Sequence, residues 1–269
     1  SALRNVFVSE RMRFSGLTLQ TWVVPRFKKQ YSDKKMDTIN YMIEQAIETA
    51  DSKGVKVLSL GQLNQSEELN ENGELYMRRI PKLKLKLVDG SSLTVAVILN
   101  NIPGETTQVV VAGNPTKVSR KIADFLSKKG IQVLTLDKNN SKKTKPSINV
   151  VSTKIWLVGD GFADEQQEIA TKGTKFIPFS QFPPKKLRGD CFYYTTPAMI
   201  VPNSFENLRI CENWLPRNVM SAWRIAGILH AMEGWNVHEV GDAMFDVQKV
   251  WQASIRHGFR PLHATSNLV

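Results

Sequence analysis

The stretch QVVVAGNPTKVSRKIADFLSKKGIQVLTLD, Gln108 to Asp137, decides the fold. Gln108–Ala112 is a short β-branched run that stops at a glycine. Val118, Ile122, Phe125 and Leu126 then recur at helical spacing and define one apolar face. Pro115 suits the first turn of that helix, where a missing N–H costs nothing. Gly130 ends the helix, and Ile131–Leu136 follows as a buried strand. The pattern predicts a βαβ unit with two parallel strands. In such units the first strand-to-helix turn faces the ligand, because the helix N-terminus offers free N–H groups and positive potential.

The turn is similar to a dinucleotide-binding turn of the short-chain-dehydrogenase type that has lost glycines. Gly113 keeps the first, but Lys117 and Ser119 occupy the positions four and six residues further on. Side chains there crowd a pyrophosphate lying on the backbone; Lys117 either binds a phosphate or fills the space. Asp137 stands at the end of the second strand, where an acidic residue holds a ribose hydroxyl. The candidate cofactor-binding residues are therefore Gly113, Asn114, Thr116, Lys117 and Asp137, for NADPH or NADH. The competing reading is a purely structural βαβ unit with an ordinary exposed lysine and a loop aspartate.

Working outward, 269 residues at 42% hydrophobic content suffice for a real core. The net charge is +11, and the excess lies in local runs at Lys28–Lys29, Lys34–Lys35, Lys128–Lys129, Lys138 to Lys145 and Lys185–Lys186. No aromatic residue interrupts the Lys138–Lys145 run, so it does not read as a nucleic-acid platform. A basic face against an anionic membrane or an acyl-CoA fits as well, and solvated loops are the plainest reading. Two cysteines, Cys191 and Cys211, make neither a disulfide framework nor a zinc site and suit a reducing compartment. The first residues, SALRNVF, lack a signal-peptide core, and no apolar run approaches the roughly 20 residues that span a bilayer.

Residues 1–18 read as a lead-in, 19–262 as one domain and 263–269 as a tail. Leu19–Val24 is a strand candidate, residues 34–53 a helix with Ile39, Met42, Ile43, Ala46, Ile47 and Ala50 on one face, and Val55–Leu60 a buried strand. These three elements suggest a second βαβ unit. Leu83–Val88 is a strand, and Asp89-Gly90-Ser91 a turn with Ser91 as a helix cap. Leu93–Asn101 is ambiguous: its β-branched residues favour a strand, while the alternation around it favours a helix, the reading preferred. Ile155–Val158 and Lys175–Phe179 are further strands, and residues 216–234 and Asp246–His257 are late helices. The alternation indicates an α/β fold, a doubly wound, mostly parallel, Rossmann-like sheet with a degenerate nucleotide-binding turn.

Catalytic patterns are scarce. The four histidines, His230, His238, His257 and His263, lack the spacing of a helical metal site. His230 lies on an apolar helix face and reads as a core histidine; His238-Glu239 reads as a capping or hydrogen-bonded pair. A phosphate loop and a G-x-S-x-G elbow are both lacking. Tyr31 and Lys35 have dehydrogenase spacing but precede the nucleotide turn. The residues alone give no catalytic or metal site, only an α/β domain that binds a nucleotide or partners something else.

Longer motifs add a resemblance. KGTKFIPFSQFPPKKLRGDCFYYTTPAMIVP (Lys172–Pro202), CENWLPRNVMSAWRIAGILHAMEGWNVHEVG (Cys211–Gly241) and GVKVLSLGQLNQSEELNENGELY (Gly54–Tyr76) resemble the C-terminal domain of plant very-long-chain aldehyde decarbonylases, the Eceriferum/Glossy wax-synthesis family. FIPFSQFPP and CENWLP are closer to its alkane-forming branch. The resemblance implies an enzyme of cuticular wax alkane biosynthesis at the endoplasmic reticulum membrane, with this domain facing the cytosol. It also implies an N-terminal membrane domain whose histidine clusters hold two irons. None of those clusters is in this sequence, so the iron chemistry carries over to no residue here. The implied partners are that membrane domain, a homologous family member in a wax-synthesis complex, and a very-long-chain aldehyde or acyl-CoA. The implied role is regulatory or docking; the alternative is an NAD(P)H-binding reductase module that makes or supplies the aldehyde.

Overall fold

The computed structural model describes residues 6–25, 36–61, 64–136, 148–180, 186–212 and 214–262. They fall into two units, one from residues 1–93 and 200–260, the other from residues 94–199 and 261–269.

The second unit contains the deciding stretch. Its sheet has five strands, Gln108–Ala112, Gln132–Leu136, Ile155–Val158, Lys175–Pro178 and Phe192–Tyr193, all paired in parallel. The first strand lies inside, with the second on one side and the third, fourth and fifth on the other. The second and third strands therefore flank the first on opposite sides. Val110, Ala112, Trp156, Val158 and Phe176 pack one core of this unit. Parallel strands buried on both faces read as continuous apolar runs, as Ile155–Val158 does, with all four residues buried. The helix Lys117–Lys128 starts later than Pro115. Thr116 accepts a hydrogen bond from the Ser119 N–H and gives its own N–H to Ser119 Oγ, and this reciprocal cap fixes the first turn.

In the first unit the strands Val57–Ser59 and Lys86–Val88 form a parallel pair. The helix Met36–Ser52 turns Ile39, Ile43 and Ile47 inward onto Leu85 and Leu87, each fully buried isoleucine contributing about 2 kcal/mol. Two expectations fail here. Phe7–Phe14, read as a lead-in, is a strand with Met12 and Phe14 only 2% exposed. It pairs antiparallel with Leu17–Val23, so that second strand joins a hairpin and not a βαβ unit with Val57–Ser59. The alternating burial of Phe7–Phe14 marks a half-buried strand, but its arginines disguise the apolar face.

Ser91–Asn101 is a helix despite its β-branched residues, because Val95, Ala96 and Ile98 are all fully buried and packing outweighs propensity. The late helix runs over Ala222–Glu233, not from residue 216; Val219–Ser221 before it is extended. Val247–Arg256 is the last helix, capped by the Asp246 side chain. The segment Asn139–Ser147, Tyr31 and Lys35, and His263 lie outside the described residues.

Candidate functional site

The predicted nucleotide contacts from Gly113 to Lys117 follow the carboxyl end of the first strand of the parallel sheet. Gly113 has φ +114°, and a Cβ there would stand 2.8 Å from the Gly159 carbonyl oxygen. The turn thus lies against the end of the neighbouring strand. Asn114 N–H donates to the Asp160 carbonyl at 2.6 Å, and Gly159 N–H donates to the Ala112 carbonyl at 2.9 Å. Thr116 and Ser119 cap one another, and Lys117 is 4% exposed, not the open surface lysine of the structural reading. Gly113, Asn114, Thr116 and Lys117 follow one another through this turn. The Asn114 N–H and the Thr116 N–H and hydroxyl, however, bond within the protein. Asp137 lies outside the described residues.

A second constellation, in the first unit, escaped the sequence reading. It sits at the carboxyl end of the strand Lys86–Val88. Asp89 Oδ1 accepts hydrogen bonds from Ser91 N–H at 2.8 Å and Ser91 Oγ at 2.7 Å. Asp89, not Ser91, is therefore the cap. Glu239 Oε1 accepts from Ser92 N–H at 2.7 Å and lies 3.3 Å from Ser91 Oγ. Two carboxylates thus meet the start of the helix Ser91–Asn101, where its unpaired N–H groups attract negative charge. The remaining Glu239 oxygen, Oε2, is 3.1 Å from His230 Nε2. His230 Nδ1 has no hydrogen-bond partner among the described residues.

Backbone pairing carries Glu239 to this position. Its N–H donates to the Leu87 carbonyl at 2.9 Å, and Asp89 N–H donates to the Glu239 carbonyl at 2.7 Å, so Val88 and Glu239 form a parallel bridge. His238 Nδ1 accepts from Leu87 N–H at 3.1 Å. Burial, followed by the Lys86 charge, holds the His238 ring below the usual histidine pKa. Gly90 permits the arrangement: at φ +79°, its Cβ would stand 2.5 Å from the Trp223 carbonyl oxygen. The His230 ring is covered by Trp235 and Phe245, with centroids 5.1 and 5.0 Å away, and those two rings stack at 4.2 Å. Asp89, Glu239 and His230 are at most 1% exposed. The signal available in sequence was the Asp-Gly-Ser turn after a strand and the His238-Glu239 pair, but nothing local linked the two.

Arg188 organises a third cluster, in the second unit. Its guanidinium grips Asp190 through two bonds of 3.0 and 2.9 Å and donates to the Gln167 and Ala170 carbonyls. The hydrogen bond from Arg188 holds the Asp190 carboxyl below its usual range. Tyr193 donates to Gln167 Oε1 at 2.6 Å, so the cluster ties the turn Asp164–Gln167 to the last strand. Among the described residues no group of three or more His, Cys, Asp or Glu side chains is arranged for a metal ion. His230 bonds Glu239, His257 bonds Glu233 and His238 bonds the backbone, so these donors do not fit an iron centre. Cys191 and Cys211 are free thiols.

Comparison with known proteins settles the family. The family model described as "CER1-like, C-terminal domain" matches residues 109–261, more than half of the chain. The chain belongs to the CER1-like C-terminal domain family. This CER1-like domain is 52% identical to the very-long-chain aldehyde decarbonylase CER1 of Arabidopsis thaliana over 96% of its own length and 44% of that protein. It is 49% identical to the very-long-chain aldehyde decarbonylase GL1-5 of Oryza sativa subsp. japonica, over 95% of the chain and 43% of the relative. Protein CER1-like 2 of Arabidopsis thaliana is 51% identical over the same shares. The domain thus spans less than half the length of the curated relatives it matches. Of the structural clusters, the family match contains Gly113, Arg188, His230 and Glu239, while Asp89 and Ser91 precede it.

Proposed function

We propose that this chain is the C-terminal domain of a very-long-chain aldehyde decarbonylase of cuticular wax alkane synthesis, acting as a docking and regulatory domain. In this reading the di-iron chemistry belongs to an N-terminal membrane domain of the same protein at the endoplasmic reticulum. This domain faces the cytosol and contacts that membrane domain or a homologous partner. The observation that carries the proposal is the state of the Glu239 carboxylate. One oxygen serves the Ser92 N–H, the other His230, and the whole cluster is sealed from solvent. An acid–base pair whose hydrogen bonds are spent internally holds a fold together and reaches no substrate. The family match and the names of the relatives support the parent activity.

The test uses a full-length parent expressed with its partner in yeast that makes very-long-chain acyl chains. Deleting the domain abolishes alkane output, and the isolated domain turns over no aldehyde. Full output without the domain, or turnover by the domain alone, refutes the proposal.

The strand order favours a second reading, an NAD(P)H-binding reductase module, because it places Gly113–Lys117 after a strand with a parallel neighbour on each side. Against it stands the internal use of the Asn114 N–H and of Thr116. Titration with NADPH and NADH, followed by thermal shift, decides the matter. A saturable shift that Gly113→Trp abolishes supports the module, and no shift at millimolar cofactor removes it.

A further inference from the structure

We propose that the open edge of the strand Leu17–Val23 pairs antiparallel with the same strand of a second copy of this chain, making an isologous dimer. The inference goes beyond the docking role proposed above and does not rest on it. The hairpin of Phe7–Phe14 and Leu17–Val23 is a two-stranded sheet, and its two edges differ. The edge of Phe7–Phe14 is engaged: Arg13 N–H donates to the Glu206 carbonyl at 3.1 Å, and Glu206 N–H donates to the Arg13 carbonyl at 2.9 Å. Arg13 therefore turns its main chain away from Thr18, its neighbour across the hairpin. Antiparallel pairs alternate between bonded and non-bonded, so Thr18 and Gln20 turn their N–H and C=O groups to the other edge. Among the described residues no further strand pairs there, and Thr18 and Gln20 are both exposed.

The chemistry of that edge selects the occupant. A row of outward N–H and C=O groups calls for an extended main chain. Exposed edges are ordinarily protected by a charge, a proline or a bulge. Leu17–Val23, LTLQTWV, has none of these, and the irregularity of the hairpin lies on the other strand, between Val8 and Glu10. Charge then favours a second copy. In a chain of net charge +11 this stretch is neutral, so pairing it with itself opposes no like charges. Centred on Gln20, the pairing sets Leu17 against the partner's Val23, Thr18 against the partner's Trp22 and Leu19 against the partner's Thr21, so all 7 residues of the strand are in register. Arg11 and Arg13 stand on the outer strand of each copy, three strand spacings or about 14 Å from those of the partner, beyond a Debye length of about 8 Å. One such edge per chain closes the assembly at two. So short a pairing falls below the roughly 1,200 Å² of a stable complex, and the dimer is weak and concentration-dependent.

The test uses the 269-residue chain in sedimentation equilibrium up to millimolar concentration. A monomer–dimer equilibrium is expected. Thr18→Pro removes an outward N–H and should weaken the dimer about thirty-fold, since symmetry loses two main-chain hydrogen bonds. Gln20→Lys puts two cations on the two-fold axis and should weaken it about five-fold, an effect that added salt reverses. That charge effect decides the matter if circular dichroism shows that Thr18→Pro does not fold. Gln20→Cys in a Cys211→Ser background should form a disulfide dimer under a thiol oxidant, because the facing Cα atoms stand about 5.5 Å apart. Arg11→Cys in the same background, on the outer strand, should not. A monomer at every concentration, a dimer indifferent to both Thr18→Pro and Gln20→Lys, or crosslinking of Arg11→Cys in place of Gln20→Cys overturns the proposal. A chain that stays monomeric but binds the peptide LTLQTWV overturns it in favour of a foreign strand.

Discussion

His230 Nε2 lies 3.1 Å from Glu239 Oε2, and neither side chain has any exposed surface. The pair joins the late helix Ala222–Glu233 to the end of the strand Lys86–Val88, where Glu239 also receives the Ser92 N–H. Removing one partner strands the other. Glu239→Ala should therefore destabilise the domain by about 3 kcal/mol or more, the scale of a broken buried pair, read as the shift in urea midpoint. In the full-length parent the same substitution should lower alkane output in proportion to folded protein. A loss of output at normal protein abundance and stability would give the cluster a role in chemistry.

The turn after the first strand of the parallel sheet makes a second prediction. Gly113 holds a positive φ, and a Cβ added there would stand 2.8 Å from the Gly159 carbonyl oxygen, inside van der Waals contact. Gly113→Ala should cost about 2 kcal/mol through backbone strain and that contact. Thermal melting checks it; a variant as stable as the parent would mean the turn has room that the geometry denies.

His238 supplies a pH dependence. Its ring is held below the usual histidine value by burial and by Lys86, so the folded protein favours the neutral form. The contribution is fully present above the unfolded-state value of about 6.5 and is lost as pH falls through the lower folded value. Urea midpoints should fall on acidification below about pH 6.5, and His238→Asn should flatten that limb. Parallel acid limbs for both proteins would reject the assignment.

Cys191 is 5% exposed, and burial pushes its thiol up. Native protein should protect this thiol from a disulfide reagent near pH 8, with labelling only on unfolding. Mass mapping of the modified peptide reads the result, and fast native labelling at Cys191 would contradict it.

Much of the second unit was legible in the chain itself. Gln108–Ala112, the helix after it and Gln132–Leu136 announce themselves through apolar period and a terminating glycine, because local patterning and chain connectivity suffice for a βαβ unit. The family motifs were equally plain. The hairpin was missed because alternating arginines mask Met12 and Phe14, whose burial depends on what packs beneath them. An α/β domain of the CER1-like kind and the residues of its turn thus follow from the order of residues along the chain. That this turn bonds inward, and that Asp89, Ser92, His230 and Glu239, up to 150 positions apart, share one sealed cluster, emerges only once the chain is folded. The physical reason is that hydrogen bonds between distant segments follow from strand pairing and helix packing, which leave no periodic mark on the residues they join.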